Sequence, residues 1–547
     1  MLAPTRTLLL ILVAAVAVGL TEGPGAQAPT ESPDLAMYQR IRDEGTARSQ
    51  VMRYASELMD GIGPRLTGSP NLAQAVAWAV DTLRATGATN ARPESWGEFG
   101  MGWQQRNVWA RLVEPDAHNF VAAAAPWSPP TRGPVSGPVV RVSGFGDESG
   151  FAPLRGKLRG SIVLLGKSGG IPATPPIEKP LFERLDAAQL SELAQDTPGP
   201  PADDTLLERA YAAGEFAERM GRFFADEGVL AVMVPSGNNP SGGVSGGTLN
   251  VDNNYNFGYH AHLKARAMRV PLLVIAVEEY LRMERLIERG VPVRVEANVD
   301  VEFTGDRVEG FNVLAEIPGT DARHRDEIVM TSAHLDSWAV GTGATDDGAG
   351  VVMVMEAVRI LGALGMRPVR TVRIALWTGE EQGLLGSSAY VARHVAEAPR
   401  AASPEQMRLP PAFRRRVGPF TLKPDHSRIS AVYNVDLGAG RIRGVGVGGN
   451  RALMPIFQQW LAPLADLGAT LVTMRPRCAG DCRPFAEAGI PTPGVWQDPL
   501  EYDTRTHHTT SDTFDRLIPD DLRQASIVLA TLLYNTAMRE EMLPRVP

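Results

Sequence analysis

The sequence predicts an α/β fold: a mixed, largely parallel sheet between helices, interrupted by a smaller β-rich segment. Two observations carry the prediction. From about residue 305 onward, apolar strand-like runs alternate with loops and helical patterns, the order of parallel strands joined by helices. Between 139 and about 300 the apolar runs are short and β-type, and they follow a Pro- and Gly-rich stretch at 126–138 that marks a boundary.

The elements follow in chain order. Arg6, the apolar run LLLILVAAVAVGL at 8–20 and the small-x-small sequence Ala26-Gln27-Ala28 form an export signal. That run falls short of the roughly 20 residues a membrane span needs, and no Cys lies near the cleavage site to carry a lipid anchor. The body is therefore expected to be secreted or periplasmic, without a stable membrane partner; an uncleaved anchor is the alternative. Residues 37–60 show helical spacing, GIGP at 61–64 is a turn, and PNLAQAVAWAVDTLRAT at 70–86 is an amphipathic helix starting at Pro70 and stopped by Gly87. Trp and Gly crowd 94–103, which reads as loop. VVRV, SIVLLG, GVLAVMVPSG and VPLLVIAV are the short strands of the β-rich segment, with one helix near 206–226. Strands are expected at 311–317, 326–332, 370–377 and 429–435, and helices at 347–363, 384–397, 451–465 and 520–540. The Gly-rich runs SGGVSGG (241–247) and GVGVGG (444–449) lack the strand–turn–helix setting of a phosphate or dinucleotide loop.

Composition narrows the function. The 547 residues exceed one simple domain at roughly 100–200 residues each. A net charge of −8 offers no basic footprint for nucleic acid and disfavours an anionic membrane surface. The two cysteines, Cys478 and Cys482, are spaced to close a small disulfide loop in an oxidising compartment. Without a second pair they do not make a structural zinc knuckle.

Chemistry gathers at the ends of the expected strands, where open α/β sheets bind ligands. EIVMTSA runs into His334-Leu335-Asp336. Residues two apart on a strand share a face, so the Asp336 carboxylate is expected to take the ring N–H of His334 and leave its other nitrogen for a metal. Alone, such a pair reads as structural. GTGATDDGAG at 341–350 places Asp346 and Asp347 where small residues open a helix, and helix capping is the plainer account. TVRIALW runs into TGEEQG, where one of Glu380 and Glu381 is suited to bind metal while its neighbour takes a proton from water; a surface acidic pair is the plainer account. Asp436 follows a strand, as many turn residues do. His507 and His508 are two of only nine histidines, in a loop. Taken together these five places form an oxygen and nitrogen donor set without thiolate, which suits a catalytic zinc pair rather than a structural zinc.

The segments AHLDS, GATDDGAG, LWTGEEQGLLGS, YNVDLG and HTTSDT, across about 311–515, resemble the co-catalytic zinc exopeptidases typified by bacterial leucyl aminopeptidase and aminopeptidase Y. The stretch IRDEGTARSQVMRYASELMDGIGPRLTGSP resembles the plasma glutamate carboxypeptidase, or carboxypeptidase Q, branch and extends the likeness to most of the chain. The export signal places a signal peptide at 1–28, and the resemblance implies a catalytic domain in two parts (37–130 and 305–547) with a protease-associated-type insert at 131–304. It implies two zinc ions, with Asp346 bridging, His334 and Asp436 on one, and Glu381 and His508 on the other. Glu380 would be the general base and Asp336 a catalytic support. Asp347 and His507 would not ligate. Peptide substrates, dipeptides or short peptides, are implied, and a homodimer by that branch alone. Where relatives read Ser-Asp-His, this chain has Gly480-Asp481-Cys482, so a site-lining His is replaced. Two rivals share this architecture: a single-zinc glutaminyl-cyclase-like acyltransferase and a receptor-like binding protein without catalytic metals. The complete five-residue donor set argues against both.

Overall fold

The computed structural model describes residues 30–143, 147–166, 180–195, 204–236, 247–251, 260–478 and 480–546, without the side chains of 204–213. The expected leader at 1–28 and the SGGVSGG loop as far as 246 lie outside the described residues.

Two long antiparallel strands, Thr89–Glu114 and Arg294–Ile317, form the spine of the molecule. The C-terminal part of Arg294–Ile317 pairs antiparallel with Thr371–Trp377. Thr371–Trp377 runs parallel to Ile328–His334, and that strand parallel to Ile429–Asn434. The N-terminal part of Arg294–Ile317 pairs instead with Val135–Val142, beyond which Ile162–Leu165, Ala231–Pro235 and Leu272–Ile275 follow in parallel. One mixed α/β sheet therefore serves both halves, antiparallel through the spine and mostly parallel within each half, with Ala122–Ala124 an antiparallel edge beside Leu272–Ile275.

Every residue of Ile328–His334 and Ile429–Asn434 is buried, as expected of parallel strands covered on both faces. The helix Ala349–Ala363 packs between Ile328–His334 and the long helix Pro519–Met538. Leu72, Met353, Ile360 and Leu529 belong to the hydrophobic core of this half. Trp103, Trp127, Phe224 and Tyr280 belong to a second core in the other half. Among the described residues no helix is long and apolar enough to cross a membrane.

Most expected elements are present with shifted ends. The helix expected at 37–60 breaks after Ala47 and resumes at Val51. Pro70–Ala85 begins behind Ser69, whose hydroxyl caps the amide of Leu72. The helix expected at 347–363 starts at Ala349, because Asp346 and Asp347 adopt non-helical backbone angles. The helix expected at 384–397 holds regular form only over Leu385–Tyr390.

Two expectations are corrected. Residues 94–103 are not a loop but part of Thr89–Glu114; the pairing register shifts at Gly97, Gly100 and Gly102, and such bulges erase strand alternation. The strand expected at 311–317 is the end of one that begins at Arg294, so it crosses the sequence boundary placed at 304.

The sheet positions the site. His334 and Trp377 are register partners at the ends of adjacent parallel strands, and Ile429–Asn434 ends beside them. Residues 334, 380, 381 and 436 therefore emerge along one edge.

Candidate metal centre

His334 closes its strand with an imidazole only 1% exposed. Its Nδ1 lies 3.0 Å from the main-chain carbonyl of Asp336. A carbonyl only accepts, so Nδ1 carries the proton and Nε2 is the nitrogen free to ligate. The expected contact to the Asp336 carboxylate is corrected: Oδ1 stands 3.7 Å away, beyond hydrogen-bond range. That carboxylate accepts from Thr67 Oγ1 at 2.9 Å and faces the amides of Glu380 and Glu381 at 3.4 Å each. Fully buried, Asp336 supports the turn that carries the two glutamates.

His334 Nε2 faces Asp346 Oδ1 at 3.1 Å and Asp436 Oδ1 at 3.3 Å. The other oxygen of Asp346 faces His508 Nε2 at 3.1 Å, and Glu381 Oε2 is 3.1 Å from the same nitrogen. One carboxylate thus spans two histidines, each joined by one further acid. All five residues singled out as ligands in the sequence come together. Three overlapping groups within this cluster place their donor atoms within 4.8 Å of one another: His334, Asp346 and Glu381; His334, Asp347 and Asp436; and Asp346, His507 and His508.

Two members of those groups were set aside in the sequence. Asp347 accepts from the amides of His334 at 3.1 Å and Gly350 at 3.0 Å, one on each oxygen. Its carboxylate is thereby committed to holding the backbone. A Cβ on Gly350 would lie 2.2 Å from that carboxylate, which is why this position requires glycine. His507 stands further out, its Nε2 3.7 Å from Asp346 Oδ2 and its ring over that of His508.

The donor chemistry fits divalent cations. Glu381 Oε1 is buried and accepts no hydrogen bond among the described residues, and such a group is costly unless a cation meets it. Burial acts to lower the His334 pKa, but Asp436, Asp336 and Asp346 outweigh it and raise it well above the ordinary value. Burial acts to raise Asp346, and the bonds from His334 and His508 reverse this and hold it well below. Burial pushes Glu381 up to about 7 and also raises Asp436. The cluster holds more acids than bases and asks for positive charge. Its oxygen and nitrogen donors suit zinc.

Glu380 borders a cavity of about 360 Å³ that is also lined by Asp346, Glu381, Asp436, Tyr502 and His508. Burial, and then the charges of Asp436, Asp481 and Glu381 against that of His334, raise its pKa well above the ordinary value. Gly480 forms part of the wall: a Cβ there would lie 2.1 Å from Asp436 Oδ2 and 3.1 Å from Glu380 Oε1. Cys478 and Cys482 are disulfide-bonded on either side of it.

Two supporting residues were not assigned a role in the sequence. Arg65, fully buried, donates to the carbonyls of Leu335, Thr342 and Gly343 at 2.7–2.9 Å and so ties both ends of the loop after His334. Asp512 accepts from the amides of Thr345 at 2.6 Å and Asp346 at 3.2 Å, fixing the residue that spans the two histidines. Both lie inside quoted segments, GPRLTG and HTTSDT, but what they hold is set by the fold.

Comparison with known proteins agrees with this chemistry. Residues 312–533 match the model of Peptidase family M28. Carboxypeptidase Q of Bos taurus is 26% identical over 505 residues, covering 92% of this chain and 88% of that one. Carboxypeptidase Q of Homo sapiens is 24% identical over 514 residues, covering 94% and 89%. Among solved structures, a Peptidase M28 precursor from Shewanella amazonensis superposes with a TM-score of 0.61 at 22% identity, covering 94% of this chain and 98% of that one. BSAP, a zinc aminopeptidase from Bacillus subtilis, gives 0.53 at 17%, covering 90% and 96%. The two structures speak to the fold alone, and the match to Peptidase family M28 falls on residues 312–533, the segment that holds all five converging side chains.

Proposed function

We propose that this metallopeptidase is a two-zinc exopeptidase of dipeptides and short peptides, with Glu380 as general base. The observation that carries the reading is the single carboxylate of Asp346 set between His334 and His508, one oxygen to each. His334, Asp436 and Asp346 Oδ1 would hold one ion; Glu381, His508 and Asp346 Oδ2 would hold the other. Zinc, when bound there, supplies Lewis acidity toward the scissile carbonyl and lowers the pKa of water.

The chain's own residues do the rest. Glu380 takes the proton of the attacking water and returns it to the leaving amine. Asp336 and Thr67 hold the turn on which Glu380 and Glu381 sit. The cavity of about 360 Å³ takes one end of a short peptide rather than a folded chain. The names of the relatives, carboxypeptidase Q and zinc aminopeptidase, support an exopeptidase while differing on which peptide end is read. An extracytoplasmic location, with residues 131–304 as a separate module, belongs to the same proposal; the leader-like N-terminus and the disulfide support the location.

Purified protein is expected to hydrolyse dipeptides or aminoacyl anilides, to lose that activity with chelator and to regain it with zinc. Chelator-resistant hydrolysis, or none of either substrate after zinc is restored, would refute the proposal.

A further inference from the structure

His508 is the one expected ligand whose backbone lies in the left-handed region, at φ 60°, which side chains other than glycine rarely adopt. Something must hold it there. The peptide groups around it are engaged by residues 249–251, from the β-rich half of the chain. Val251 N donates to the His508 carbonyl at 3.3 Å, and Thr510 N donates to the Leu249 carbonyl at 2.8 Å. Leu249 N donates to Thr510 Oγ1 at 2.9 Å, and Asn250 and Thr509 form an antiparallel bridge. Thr248 Oγ1 and Ser511 Oγ meet at 3.2 Å.

This short stretch is itself anchored. Leu249 and Val251 are buried in the second hydrophobic core. Asn250 N donates to Ser236 Oγ at 2.8 Å, just beyond the strand Ala231–Pro235. Trp338 belongs to the same core and stands edge-on to the His508 ring, with centroids 5.5 Å apart. From the opposite side Asp512 pins the loop to Asp346. The other half-site needs no such brace, because His334 is the end of a buried strand and Asp436 follows another closely.

We propose that residues 249–251 are a positioning element for the half-site of Glu381 and His508, so that the β-rich segment sets the zinc affinity of that half-site alone. The inference rests on the two-zinc reading above. The hydrogen bonds act on the backbone that carries the ligand, and second-layer contacts of this kind are worth roughly 10–100-fold in metal affinity.

Stepwise zinc binding to the full chain, measured by competition with a chromophoric chelator, tests it. His508→Ala identifies the step belonging to that half-site. Thr510→Val removes the acceptor of the Leu249 amide at nearly constant shape, and is expected to weaken that step alone by roughly 10–100-fold. Thr510→Ser keeps the acceptor and is expected to bind as the parent does. Ser236→Ala, which touches Asn250 rather than the loop itself, is expected to weaken the same step by less. Unchanged binding in both Thr510→Val and Ser236→Ala overturns the inference. So does equal weakening of both steps, or a Thr510→Ser variant as weak as Thr510→Val. A parent protein with a single zinc step overturns the two-zinc reading and the inference with it.

Discussion

Two buried histidines, one in each half of the molecule, meet opposite fates. His334 is 1% exposed and its pKa is held well above the ordinary value; His262 is 4% exposed and its pKa is pushed down to about 3. Burial opposes the charged form in both. Around His334 the carboxylates of Asp436, Asp336 and Asp346 overcome it. Around His262 there is burial, then the like charge of His260, with the ring stacked 4.4 Å from Phe99 and Nδ1 without a partner among the described residues. The difference teaches that counter-charge, not depth, separates a site built for cations from an apolar core that contains a histidine.

The largest effect expected from this contrast is at Glu380, inside the charged cluster. Glu380→Gln keeps size and polarity but removes the base, so kcat should fall by roughly 10²–10⁴-fold, while zinc content by elemental analysis stays at the parent level. Zinc lost together with activity would make Glu380 a ligand instead.

A smaller effect is expected one layer out. Asp512→Asn weakens the hold on Thr345 and Asp346, and should reduce zinc affinity by roughly 10–100-fold, seen as a lower chelator concentration for half-inactivation. Since Asp346 serves both half-sites, both binding steps should shift, unlike the single step expected of Thr510→Val.

The smallest effect belongs to the neutral histidine. Its folded pKa of about 3 lies below the ordinary 6.5, so the unfolded chain takes up a proton that the folded chain refuses. Stability is unaffected above pH 6.5, declines as pH falls below it, and stops declining near pH 3. At pH 5 this amounts to about 2 kcal/mol. Denaturant titrations at pH 7.5 and pH 5 should show a difference smaller by that amount in His262→Leu than in the parent. An equal difference in the two proteins would mean that His262 is protonated in its core.

The site was more legible in the sequence than the fold around it. His334, Asp346, Glu381, Asp436 and His508 were readable because four of the five places sit at strand ends, and the geometry then brings all five together. Asp336 was misplaced for a physical reason: two-residue alternation holds inside a strand, and the strand stops at His334, so the chain turns before the carboxylate can point back. Residues 94–103 were misread because bulges at glycines interrupt alternation. Arg65 and the contact between 249–251 and 508–510 join stretches about 250 or more residues apart in the chain, and no local pattern encodes such a pairing.

The arrangement of the five side chains is tested most directly by anomalous diffraction at the zinc edge from crystals grown with zinc. The account predicts two peaks in this cleft, one between His334 and Asp436 and one between Glu381 and His508, with Asp346 reaching both. A single peak, or two of which either lies outside the reach of Asp346, would contradict it.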